Sequence, residues 1–108
     1  MIVTAWNNGQ YKETGAGYGV KLNAADRDKC FSKDWDKITL YMEGRDDSIE
    51  VNVNKPSFWG PVCRELIHKE IGRWLQNNDL APWEKGNPPK MKMEQVKENV
   101  FRLSLPLQ

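Results

Sequence analysis

The sequence predicts an α+β domain: a mostly antiparallel sheet of about six strands packed against one main helix over about residues 61–77. The expected order is strand, strand, short helix, strand, strand, main helix, strand, strand. Three observations carry this reading. Two-residue alternation of apolar and polar side chains recurs at Gly17 to Asn23, Lys37 to Asn54 and Met91 to Leu103. An apolar stripe at helical spacing runs from Val62 to about Gln76. The segments between them are rich in Gly, Asn, Asp and Pro, the residues of turns.

Each element has a local reason. Residues 2–6, Ile-Val-Thr-Ala-Trp, form a first strand that ends in the turn residues Asn7-Asn8-Gly9-Gln10. In the next strand Tyr18, Val20 and Leu22 point one way and Gly17, Gly19 and Lys21 the other. Asn23 followed by Asp26 is a capped start for a short helix over residues 24–31. Ile38, Leu40 and Met42 then alternate with Lys37, Thr39, Tyr41 and Glu43, and Ile49, Val51 and Val53 alternate with Glu50, Asn52 and Asn54. Pairing Glu43 with Ser48 sorts this hairpin into an apolar face and a polar face, with Tyr41 opposite Glu50 and Thr39 opposite Asn52.

Gly60 as N-cap and Pro61 at the first helical position open the main helix. On it Val62, Cys63, Leu66, Ile67, Ile71, Trp74 and Leu75 share one side. The prolines of Ala81 to Pro89 exclude regular structure there. A last hairpin places Met91 and Met93 against Leu103 and Phe101 around the turn Gln95 to Asn99.

A chain of 108 residues corresponds to one domain, residues 1–108, since domains run typically about 100–150 residues. The 39% hydrophobic and 29% charged content excludes a disordered chain. A net charge of +1 gives no global drive toward nucleic acid, anionic membrane or acidic substrate. The N-terminus has no basic, apolar leader and nothing approaches the ~20 apolar residues of a bilayer span. The expectation is therefore a cytoplasmic protein with no membrane partner. Cys30 and Cys63 form no CxxC pair and are expected as free thiols.

No cofactor or metal motif emerges. The run Gly15-Ala16-Gly17-Tyr18-Gly19 leads into a strand instead of opening a helix, so it is not a phosphate loop. Its alternate glycines clear a strand face, either for close packing or for a ligand ring. Cys63 and His68, five apart on the expected helix, diverge by about 140° and do not share an ion.

Four features carry candidate chemistry. Glu70 lies about 40° from the centre of the apolar arc, where a carboxylate either meets a basic partner or keeps its proton. Trp59 and Trp83, each in a Pro/Gly-flanked segment, are aromatic anchors for a ligand or partner or caps on a small core. Tyr41, Glu50 and Asn52 offer a polar strand face. Lys90, Lys92 and Arg102 share the outward face of the last hairpin, a pattern of single-strand-binding sheets and also of protected edge strands.

The sequence alone does not assign a function. The leading expectation is a small non-enzymatic binding or adaptor domain for a protein or small ligand, using Trp59, Trp83, Tyr41, Glu50 and Asn52. The alternatives are a single-stranded nucleic-acid-binding module using Lys90, Lys92 and Arg102, and a small enzyme built on a buried Glu70. A homodimer through edge strands or aromatic loops stays open.

Overall fold

Along the first strand, β1 (Ile2–Asn7), Val3 and Ala5 are buried while Ile2, Thr4 and Trp6 face the other way. The same two-fold alternation organises the whole computed structural model, which describes residues 1–106. After β1 come β2 (Tyr18–Lys21), α1 (Ala24–Cys30), β3 (Lys37–Met42), β4 (Ser48–Asn52), a 3₁₀ turn (Pro56–Trp59), β5 (Glu65–Ile67), α2 (Lys69–Asn77), β6 (Lys90–Lys97) and β7 (Val100–Ser104). The sheet has seven strands in the order β4-β3-β7-β6-β1-β2-β5. Among the described residues only the β3–β7 pairing is parallel. The architecture is thus α+β with a mixed sheet, which curls until the end strands β4 and β5 approach one another.

This near-barrel encloses the core. Val3, Val20, Ile38, Leu40, Val51, Met91, Met93, Phe101 and Leu103 point inward, joined by Ile71, Trp74 and Leu75 of α2. Phe31, Phe58 and Phe101 form an aromatic cluster, with the Phe31 and Phe101 rings stacked at 4.6 Å. The outward residues Tyr41, Glu50, Asn52, Lys90, Lys92, Glu94 and Arg102 remain exposed. Among the described residues no helix is long and apolar enough to cross a membrane.

The short helix starts as its sequence dictates: Asn23 caps α1 by accepting the Asp26 N–H at 2.8 Å. The main helix does not span 61–77. Pro56, not Pro61, begins a helical turn, and Val62 is 68% exposed. Glu65–Ile67 pair with β2 as a strand, and α2 starts only at Lys69. The apolar stripe is real, but two elements share it: Leu66 is buried from β5, and Ile71, Trp74 and Leu75 from α2. Pairing with the backbone of β2 outweighs the local helical pattern.

Both hairpins keep their predicted faces but shift register by two residues. In the first, Tyr41 pairs with Ser48 and Thr39 with Glu50. Glu43 is drawn away because its N–H donates to the Leu103 carbonyl at 2.9 Å, beyond the reach of β4. In the last hairpin Met93 faces Leu103 and Gln95 faces Phe101. There β6 runs on to Lys97, and an irregularity between Gln95 and Lys97 absorbs the extra length of a tighter turn.

Candidate functional site

The curl of the sheet sets side chains distant in sequence next to one another on its outer face. Tyr41 on β3 is the parallel-register neighbour of Arg102 on β7, and Arg102 in turn faces Glu94 on β6. Across β6 and β1, Lys92 faces Ile2 and Lys90 faces Thr4, and Thr4 faces Lys21 on β2. One continuous surface therefore links the polar-face tyrosine to the basic strand.

At one end of that surface Tyr41, Met42, Gly44, Arg45, Val96 and Arg102 line a groove of about 280 Å³. Tyr41 is 42% and Val96 60% exposed, so the groove has an apolar wall open to solvent. Arg102 forms no ion pair among the described residues. Arg45 is held on two sides. Its Nη2 lies 2.9 Å from Asp47 Oδ2, and its Nη1 donates to Glu70 Oε1 at 3.1 Å. The hydrogen bond to Asp47, followed by that to Glu70, raises the pKa of the Arg45 guanidinium, and the same contact holds the Asp47 carboxyl below its usual range.

Glu70 meets two basic partners. Arg73, one helical turn on, donates from Nη1 to Glu70 Oε2 at 2.8 Å, and the Glu70 side chain is 20% exposed. Its backbone N–H donates at 3.0 Å to Nδ1 of His68, which caps α2. Burial, the dominant cause, pushes the His68 pKa down, and the nearby Glu70 carboxylate only partly offsets it. Neutral imidazole is the form that can accept this bond.

The remaining candidates sit elsewhere. Glu50 pairs with Lys37 at 3.0 Å, and Asn52 accepts the Asn54 N–H at 2.9 Å. Both share the outer face with Tyr41 but lie two and four residues along β4 from Ser48, its partner. Trp59 and Trp83 belong to different clusters. Trp59 packs edge-on to Phe58 with the buried Arg27 guanidinium 5.3 Å from its centroid. That arginine donates to the carbonyls of Phe58 and Gly60, at 3.0 and 2.7 Å, and so fastens α1 to the 3₁₀ turn. Trp83 stands edge-on to Tyr11 and Tyr18 at 5.6 and 5.9 Å.

Lys90, Lys92 and Arg102 do share the outward face, where Lys21 and Arg64 join them. Two depressions, of about 290 and 210 Å³, adjoin there, and Ile2 and Lys90 line both. Lys92 lies 3.0 Å from Glu94, and Lys21 4.0 Å from Glu65. Sequence reasoning missed Arg45, read as part of a polar turn, and Val96, read as a turn residue. It placed Lys21 outward by alternation but had no signal that β2 and β6 flank β1.

The glycine run is filled by protein. A Cβ on Gly15 would lie 2.3 Å from the Lys69 carbonyl oxygen, one on Gly17 2.6 Å from the Asn8 side chain, and one on Gly19 2.1 Å from the Leu66 carbonyl oxygen. Cys30 and Cys63 are free thiols. Among the described residues no three His, Cys, Asp or Glu side chains come together as a metal-binding group. No protein-family model, curated protein or solved structure matches this chain.

Proposed function

We propose that this chain is a small binding domain that receives its ligand or partner on the outer face of the sheet, at the Tyr41–Arg102 groove. The single observation that carries this reading is the register pairing of Tyr41 with Arg102 beside the exposed Val96. A guanidinium with no ion pair among the described residues, next to a phenol and an apolar side chain, suits a group that is anionic at one end and apolar or aromatic at the other. Arg45, fixed by Asp47 and Glu70, supplies a second wall whose charge those carboxylates already engage. The Glu70 carboxylate is engaged by two guanidiniums, which favours a positioning role for it over acid–base work.

Phenyl phosphate carries both features of such a ligand and serves as the test. Calorimetric titration of the intact chain is expected to give weak saturable binding that Arg102→Ala and Tyr41→Ala each reduce at least tenfold. Lys29→Ala, on the exposed side of α1, leaves it unchanged. Equal binding by Arg102→Ala and the parent chain would refute the assignment.

A further inference from the structure

We infer that the partner is a nucleic acid whose sugar–phosphate backbone crosses the outer face from Arg102 over β6 and β1 to Lys21. This inference rests on the binding face proposed above and names what it takes.

Charge is the first ground. Arg102, Lys92, Lys90, Lys21 and Arg64 gather on or beside this face, against Glu94 and Glu65. The whole chain carries a net charge of only +1, so the rest of its surface is acidic overall. A molecule polarised in this way orients toward a polyanion even though its total charge is small.

Spacing is the second. Lys90 and Lys92 stand two residues apart on one strand, roughly 6.6 Å from Cα to Cα. Lys90 and Lys21 flank Thr4 from the strands on either side of β1, roughly 9.6 Å apart. Cations repeated at these intervals suit a polymer with one charge per unit.

The third ground is what lies between the cations. Ile2, 57% exposed, lines both adjoining depressions, and Leu105 and Pro106 add apolar ground to one of them. Outward-facing Trp6 and Tyr41 supply aromatic rings on the same face. Cations and apolar ground alternate here as phosphates and bases alternate along a strand. An acidic polypeptide presents the charge without the flat rings.

The test is fluorescence anisotropy with the intact chain and labelled oligonucleotides about 12 nucleotides long, within the site sizes of single domains. Mixed-sequence single-stranded RNA, single-stranded DNA and duplex DNA form three arms, and polyglutamate is the control polyanion. At least one nucleic acid is expected to bind at about 50 mM salt. For four neutralised phosphates the affinity falls roughly 50- to 150-fold by about 200 mM. The arm that binds most tightly identifies the form. Lys90→Glu with Lys92→Glu abolishes binding, whereas the charge-matched pair Lys12→Glu with Lys29→Glu retains it after allowance for net charge.

No binding in any arm at low salt, insensitivity to the Lys90/Lys92 change, or polyglutamate binding as tight as the best nucleic acid each overturns the proposal. If phenyl phosphate still occupies the Tyr41–Arg102 groove in that event, the binding face stands and only the nucleic-acid assignment falls. If neither probe binds, both fall.

Discussion

Gly15 and Gly72 meet backbone to backbone: a Cβ on Gly72 would lie 2.3 Å from the Gly15 carbonyl oxygen and 2.6 Å from its Cα. This contact lets α2 lie directly on the loop that leads into β2, and it explains a glycine in mid-helix. An alanine there normally gains about 1 kcal/mol of helix propensity. Here the neighbour is backbone, which cannot rotate away, and overpacking costs about 1–3 kcal/mol. Gly72→Ala is therefore expected to lower stability in urea unfolding. Gly60→Ala, where φ is −78° and the nearest atom would be 3.4 Å away, should stay within about 0.5 kcal/mol of the parent. A stabilised Gly72→Ala variant contradicts the contact.

Trp74 separates packing from hydrogen bonding. It is 2% exposed, and its indole Nε1–H donates to the Glu43 carbonyl at 2.8 Å. Trp74→Ala is expected to cost about 3–5 kcal/mol. Trp74→Phe keeps most of the ring but leaves the carbonyl without its partner, at about 1–3 kcal/mol. A Trp74→Phe variant as stable as the parent would mean that the hydrogen bond contributes little.

His68 makes stability depend on pH. Its folded-state pKa lies below the ordinary value of 6.5, chiefly through desolvation. As pH falls through 6.5 the unfolded chain takes up a proton that the folded chain resists, so stability drops and then levels below the folded pKa. Above that window the contribution is complete. Unfolding followed from about pH 7.5 to 5.5, above the ordinary carboxylate range, should show this loss. His68→Asn, which keeps a capping side chain, should flatten the profile. An unchanged profile in that variant would place the titrating group elsewhere.

Glu70 ties the β3–β4 turn to α2 through Arg45 and to its own helix through Arg73. Glu70→Gln retains shape but removes the charge. Bonds to charged partners are worth about 1.5–3 kcal/mol each, less here because the Arg73 side chain is 49% exposed and solvent screens it. A total loss of about 1–2 kcal/mol is expected, smaller in high salt. A double-mutant cycle with Arg45→Met measures the coupling, and a coupling near zero would show that the pair contributes nothing.

The features legible in the sequence are those decided within a few residues. Asn23 and Asp26 announce the start of α1 because donor and acceptor are three positions apart. The faces of both hairpins follow from alternation, which a two-residue slip preserves. The registers were illegible because β7, far along the chain, competes for Met42 and Glu43. A strand as short as Glu65–Ile67 has too few residues to show its own period, so its apolar residues merged into the helical stripe. Glu70 stood out by phase, but its partner Arg45 lies 25 residues away, and only the fold joins them. The Tyr41–Arg102 groove depends on the one parallel pairing in the sheet, which no local pattern encodes.

The proposed binding surface is the outer face at Tyr41 and Arg102. Amide NMR of the isotope-labelled chain titrated with phenyl phosphate tests it most directly. Shifts are expected to cluster on Tyr41, Gly44, Arg45, Val96 and Arg102, with the Trp83 indole unmoved. Shifts centred on Tyr11 and Trp83, or none at saturating probe, would contradict it.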